Sequence, residues 1–222
     1  MDWQAQLQRA EARYADGEAR LRAEAGSDED PRQRQLTRLG NAAWAAGLCS
    51  LMLGRDPSEW LHRAAARYRD SWPDAPPGSW GRPIGAMKSL LLAGDWDGAT
   101  EAARWALDAG ATEAESPIGR YAAALAFLVL GEWDDARVLA DHLRTHENFP
   151  TDVADALAYV AAEDVLGYTE AVESVLESFE TRDEYLEDVP VADTVLVLQA
   201  LAARRDMAVE LGSPLLPGSA PL

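Results

Sequence analysis

His142 and His146 are the best-spaced candidates for metal chemistry in this chain. Four residues apart on a helix, two imidazoles share one face and can share an ion, with Glu147 or a distant acid as third ligand. The zinc-peptidase pattern needs a glutamate directly after the first histidine as general base, and Leu143 stands there instead. A helix C-terminus is also expected there, where the dipole favours a histidine without any metal. Neither metal nor cofactor is therefore expected. Acid pairs offer the other chemistry: Glu163-Asp164, Asp183-Glu184 and Glu187-Asp188 suit general acid and base roles if buried together in a cleft. With 38 acids in 222 residues no single pair stands out, and these read as solvated or helix-starting faces. No phosphate-binding glycine loop, dinucleotide fingerprint or Gly-x-Ser-x-Gly elbow is present. Cys49 is alone, which excludes an internal disulfide, and its leucine neighbours point to a buried thiol. A metal-dependent or acid/base enzyme is thus the rival reading, and a non-enzymatic protein the first one.

The elements that would position these residues repeat. Leu92-Ala93-Gly94-Asp95-Trp96-Asp97-Gly98-Ala99, Val129-Leu130-Gly131-Glu132-Trp133-Asp134-Asp135-Ala136 and Val165-Leu166-Gly167-Tyr168-Thr169-Glu170-Ala171 are near-copies. Their glycines fall 37 and then 36 residues apart, and a fixed period of this size marks stacked helical hairpins, each too small to bury its own apolar face. Helix pairs are expected over 83–93 with 95–109, 117–130 with 132–146, and 151–166 with 168–182. Gly94, Gly131 and Gly167 should each end a first helix in the left-handed conformation. Asp95 or Asp97, Asp134 and Thr169 can then cap the second helix or favour its dipole. Trp96 and Trp133 take the aromatic place after the turn and are expected in the core, with Trp44, Trp60 and Trp105.

Upstream, helices are expected from Asp2 to Ala25, from about Pro31 to Leu53, and after the start signal Asp56-Pro57-Ser58-Glu59. Gly26 to Pro31 should form the turn between the first two. The proline loop from Trp72 to Pro83 forbids helix and is a possible sub-boundary within one domain spanning 1–222. A last helix is expected over Pro190 to Arg205. Met207 to Leu211 alternates like a strand, Ser213 to Pro217 should lie across the solenoid end as a cap, and Gly218 to Leu222 should fray.

The layout Gly-acid-aromatic-acid-x-Ala resembles the turn and second helix of tetratricopeptide repeats, and Ala106-Leu107 extends the match in one unit. The first helices lack that family's usual glycine, the period is longer, and no unit carries its closing proline. The resemblance implies an all-α fold: tandem antiparallel helix hairpins in a tetratricopeptide-like α-solenoid, here with a short extended C-terminal segment. A second likeness lies further on. Phe179-Glu180-x-Arg182 leads into Leu186-Glu187-Asp188-x-Pro190, then a helix ending Leu201-Ala202-Ala203-Arg204-Arg205, then Ser213-Pro214-Leu215-Leu216-Pro217. That order resembles the bacterial immunity protein 49 family, small all-helical proteins associated with neutralising toxins delivered between competing cells. It implies a stoichiometric protein inhibitor.

The formal net charge is −18. Residues 1–82 hold 12 arginines and 12 acids, whereas residues 83–222 hold seven arginines, Lys88 and 26 acids, so the whole excess lies in the second part. Such a field repels phosphate backbones, which argues against nucleic acid, and speeds encounter with a basic protein, a toxin among the candidates. The same composition suits a halophilic or high-GC source. No apolar run approaches the ~18 residues of a membrane helix. The Met1-Asp2-Trp3-Gln4 start lacks the basic and apolar regions of a signal peptide, so a cytoplasmic protein with no membrane partner is the simplest expectation. The expected partner surface is the concave face of the repeats. Its candidates are Asp155, Glu163, Asp164, Glu187 and Asp188, with Tyr121 and Tyr159 as aromatic anchors; Trp72 and Trp80 on the proline loop are separate candidates for a partner contact.

Overall fold

The computed structural model describes residues 1–23 and 29–218. Gly26 to Asp28 of the expected turn, and the expected fraying beyond Gly218, lie outside the described residues, whereas Glu29 to Pro31 already belong to the second helix. The helices are α1 (Trp3–Ala23), α2 (Glu29–Met52), α3 (Ser58–Asp70), α4 (Gly81–Leu92), α5 (Trp96–Asp108), α6 (Pro117–Leu130), α7 (Trp133–Leu143), α8 (Thr151–Ala162), α9 (Val165–Glu180) and α10 (Asp193–Ala203). Every helix from α1 to α9 packs on its neighbour in the chain, as in a helical solenoid. From α4 onward they form two layers. One holds α4, α6 and α8, with α6 touching both others; α5 and α7 each pack between the first-layer helices before and after them, and α9 closes on α8.

Small residues make this stacking possible. Ala99, Ala102, Ala103 and Ala106 line the buried side of α5, and Ala122, Ala123, Ala124 and Ala126 that of α6. Gly40 of α2 and Gly85 of α4 close on the Tyr68 ring from two helices; a Cβ on either would stand 2.7 Å from a ring carbon. The loop after α3 does not part its neighbours, because α3 packs on α4 across it.

Four hairpin turns carry a residue of positive φ: Gly54 (65°), Gly94 (73°), Gly131 (79°) and Glu163 (58°). The expectation for Gly167 is therefore corrected. It lies in the first turn of α9, where its N–H donates to Asp164 Oδ1 at 3.0 Å, just as Gly98 N–H donates to Asp95 Oδ1 at 2.9 Å. Its structural counterpart is Gly98, and α8 ends four residues earlier than its glycine implied. Gly167 is needed for closeness: a Cβ there would stand 2.7 Å from the Tyr159 ring. Thr169 is no cap either, since its hydroxyl donates to the Val165 carbonyl inside the helix.

The C-terminal segment also differs from expectation. No strand forms among the described residues. Met207 to Leu211 has no second strand to pair with. Instead Met207 N–H returns to the Ala202 carbonyl at 3.0 Å, and the Gln199 side chain bonds both backbone groups of Val209. Ser213 Oγ lies 2.6 Å from Glu180 Oε1, and the Leu215 carbonyl accepts from Ala192 N–H at 3.0 Å, so this segment lies against the end of α9 and the start of α10. Helix α10 packs on α9, on α8 and back on α4, bridging the last regular hairpin to the first.

Candidate functional site

The histidine pair is not brought together as one helical face. Helix α7 ends at Leu143, so only His142 is helical and His146 sits in the following turn, 3.4 Å from Arg120 Nη1. Among the described residues no group of three His, Cys, Asp or Glu is placed to hold a metal ion. Cys49 is buried, and burial pushes its thiol up to about 11.

What the chain does assemble is the docking surface of α10. At its start, Asp193 accepts from Lys88 Nζ of α4 at 2.5 Å, and Thr194 Oγ1 lies 3.3 Å from the same nitrogen. Burial favours neutral Lys88, but Asp193 outweighs it, and the ammonium is held above its ordinary range. Halfway along, Gln199 Oε1 accepts from the buried Tyr168 hydroxyl of α9 at 2.7 Å. After its end, Arg204 donates to the Val129 carbonyl at 2.8 Å and covers the Trp96 ring at 4.7 Å. Arg205 donates to the Val160 and Ala161 carbonyls at 2.8 and 2.6 Å, pairs with Glu163 at 2.7 Å and covers Trp133 at 4.4 Å. Two successive arginines thus satisfy the last carbonyls of α6 and α8, the acceptors a helix leaves unpaired at its C-terminus. They also explain why Trp96 and Trp133 are half-buried rather than core: each lies at a hairpin edge with a guanidinium over one face. Of the five tryptophans expected in the core, Trp44 alone is fully buried; Trp60 and Trp105 are half-buried too.

The candidate partner residues do not form one free surface. Asp155 and Tyr159, one turn apart on α8, share Arg144, which pairs with Asp155 at 2.5 Å and lies 5.0 Å from the Tyr159 ring. Glu163 is engaged by Arg205, and Asp164 caps α9. Glu187 pairs with Arg13 of α1 at 2.9 Å, and both Glu187 and Asp188 adopt φ of 58° in a 3-10 turn against α2. They are not at the start of α10, where Asp193 stands instead. Tyr121 packs on Phe149 at 5.5 Å and is half-buried. Trp80 is only 8% exposed and Trp72 stacks between it and Trp105, at 5.8 and 5.6 Å, so these two fill a seam and Trp80 offers no exposed face.

One group of acids without an ion pair among the described residues lies on the other layer. Asp97 and Glu101 on α5, Asp134 and Asp135 on α7, and Glu170, Glu173 and Glu177 on α9 are all exposed. Exposed apolar residues stand among them: Val138 on α7, and Val165 and Leu166 on α9, Leu166 being 80% exposed. Sequence reading missed this division because pairing is a tertiary property, yet the helical spacing of 170, 173 and 177 already marks one face of α9.

Asp95 is the best-connected hairpin acid. It caps α5, and its Oδ2 lies 2.9 Å from His62 Nε2 of α3. The Gly98 N–H and then His62 hold its carboxyl below the usual range. A depressed carboxyl stabilises the fold above its unfolded value, and that contribution is lost as pH falls through the folded one. Asp95→Ala should cost about 1 kcal/mol near neutral pH, the usual worth of a cap, and the gap to wild type should close in acid. Urea melts at pH 7 and pH 3 check both parts; a gap that widens in acid contradicts the assignment.

Comparison of the chain with family models, with characterised proteins and with solved structures returned no match. Among the described residues no helix is long and apolar enough to cross a membrane.

Proposed function

We propose that this chain is a non-enzymatic, tetratricopeptide-like binding protein whose acidic outer layer meets a basic protein partner. The carrying observation is the sorting of its carboxylates. Asp193, Asp155, Glu163 and Asp164 are engaged by Lys88, Arg144, Arg205 and the start of α9, whereas Asp97, Glu101, Asp134, Asp135, Glu170, Glu173 and Glu177 of α5, α7 and α9 stand exposed without an ion pair among the described residues. Val138, Val165 and Leu166 add apolar contacts on α7 and α9. The first layer, which in such repeats would be the concave and usual site, is the poorer choice because α10 already packs against α4 and α8. A toxin is one form such a partner takes; that version rests on the residue pattern over 179–217.

The test uses the full chain and a variant with Glu170, Glu173 and Glu177 changed to Gln. Proteins captured from the source cell at low salt are identified, and association with the best candidate is followed against salt. A basic partner lost by the variant, associating markedly more slowly at physiological salt with dissociation little changed, is the expected result. A bound set indifferent to the variant, or association flat across salt, overturns the reading. If the partner arrests growth when expressed without this chain, the toxin version holds; if it does not, only that version fails.

A further inference from the structure

A cleft of about 330 Å³ opens between α2 and α4, under the turn that carries Leu186. Its lining includes Asn41, Trp44, Tyr68, Gly81, Arg82 and Lys88. Arg82 is the unusual member. It is 9% exposed, yet its bonds go to neutral groups: Nε donates to Ser71 Oγ at 2.8 Å and Nη2 to Gln33 Oε1. No carboxylate pairs with it among the described residues, whereas Lys88 in the same cleft has Asp193. A buried charge ordinarily carries its counter-ion, because desolvation is otherwise uncompensated. The strain is visible in its acidity, which burial alone shifts, and downward. Nη1 has no bonded partner among the described residues. None of their side-chain nitrogens or oxygens is fully buried without a partner, so Nη1 must reach open space.

The neighbouring polar groups are matched to the same need. Tyr68 donates its hydroxyl to Asn41 Oδ1 at 2.9 Å, which leaves the Asn41 amide hydrogens to donate in turn. Burial raises the Tyr68 hydroxyl far above its usual range, so it stays a neutral donor. Helix α4 begins here without a side-chain cap, and Gly81 at its start lines the cleft. Arg82 and Lys88 against Asp193 leave one net positive charge, in a chain of net charge −18.

We propose that this cleft binds a small oxyanion, a carboxylate or phosphate group, with Arg82 as its counter-ion and Asn41 as a second donor. The site is independent of the acidic layer and of any protein partner. It predicts an opposite charge preference at one place on an acidic protein.

The test is thermal unfolding and titration calorimetry of the full chain with inorganic phosphate, with succinate, and with chloride at matched ionic strength. Chloride sets the general salt effect, since screening alone stabilises a highly charged chain. Phosphate or succinate should raise the midpoint beyond chloride and bind with a Kd on the order of 1 mM or tighter. A response to phosphate alone assigns a phosphate ligand, to succinate alone a carboxylate, and to both a shared oxyanion subsite. Asn41→Asp keeps the acceptor for Tyr68 and adds a negative charge, so it should fold and bind at least ~10-fold more weakly, a change of ~1.4 kcal/mol. Arg82→Gln should abolish binding if it folds. No effect beyond chloride, or equal effects in wild type and Asn41→Asp, overturns the proposal.

Discussion

Lys88→Met should lower the free energy of unfolding by about 3–5 kcal/mol, the range for breaking a buried ion pair by removing one partner. The reason is what stays behind. Asp193 would lose its counter-ion in a place with little water: the two side chains are 12% and 18% exposed. The Lys88 ammonium also lies 5.6 Å from the Trp44 ring, and that attraction would go with it. Lys88→Met with Asp193→Leu should recover most of the loss, because replacing both charges with apolar groups is often neutral or better. Urea melts of the two single variants and the double variant measure the coupling. A single-variant loss below ~1 kcal/mol would mean that solvent screens the pair as at a surface. The pH dependence carries a sign. A lysine whose folded value is raised gives stability fully present below its unfolded value and lost as pH rises through the folded one. The gap between wild type and Lys88→Met should therefore persist through neutral pH and close only in strong alkali.

Arg205→Ala should cost about 2–3 kcal/mol, the second largest effect. One side chain supplies two charge-assisted bonds to the Val160 and Ala161 carbonyls, a pair with Glu163 and a cover for Trp133. Its loss leaves the end of α8 unsatisfied. Lysine should restore less than half, because a point ammonium cannot bridge two carbonyls and a carboxylate while lying flat on an indole. Arg204→Ala should cost less, since it loses one carbonyl and one ring contact. Full rescue by Arg205→Lys in denaturant melts would show that charge alone matters there.

Much of this fold is legible in the residues. Gly94 and Gly131 end helices where their neighbours say they should, and the apolar spacing and start signals mark each of the ten described helices. What failed did so for identifiable reasons. Gly167 was misplaced because glycine serves two needs, positive φ and close approach, and the letter does not say which. The positive φ at the matching turn fell to Glu163, which no composition rule would choose, and which Arg205 holds from 42 residues away. Among the acids of the expected concave surface, Asp155, Glu163 and Glu187 are held in ion pairs. Their partners Arg144, Arg205 and Arg13 come from other elements, and pairing across elements leaves no local pattern. Arg82 was invisible for the same reason: a missing counter-ion can be seen only after every neighbour is placed.

The bridge from α10 to α4 changes how the molecule comes apart. A linear array of hairpins frays from its ends, losing one unit at a time at a cost set by neighbours. Here the Lys88–Asp193 contact closes a span of 105 residues around the regular hairpins. Opening any one of them strains that closure, so the array loses its free end and gains a single cooperative transition. The cost falls on assembly. Hairpins can form from contacts near in sequence, whereas this closure must wait for all three to be in place, as non-local contacts do. Until then the apolar side of α10, with Val195, Leu198 and Leu201, is covered only by α8 and α9, and the newly made chain is most prone to aggregate in that interval.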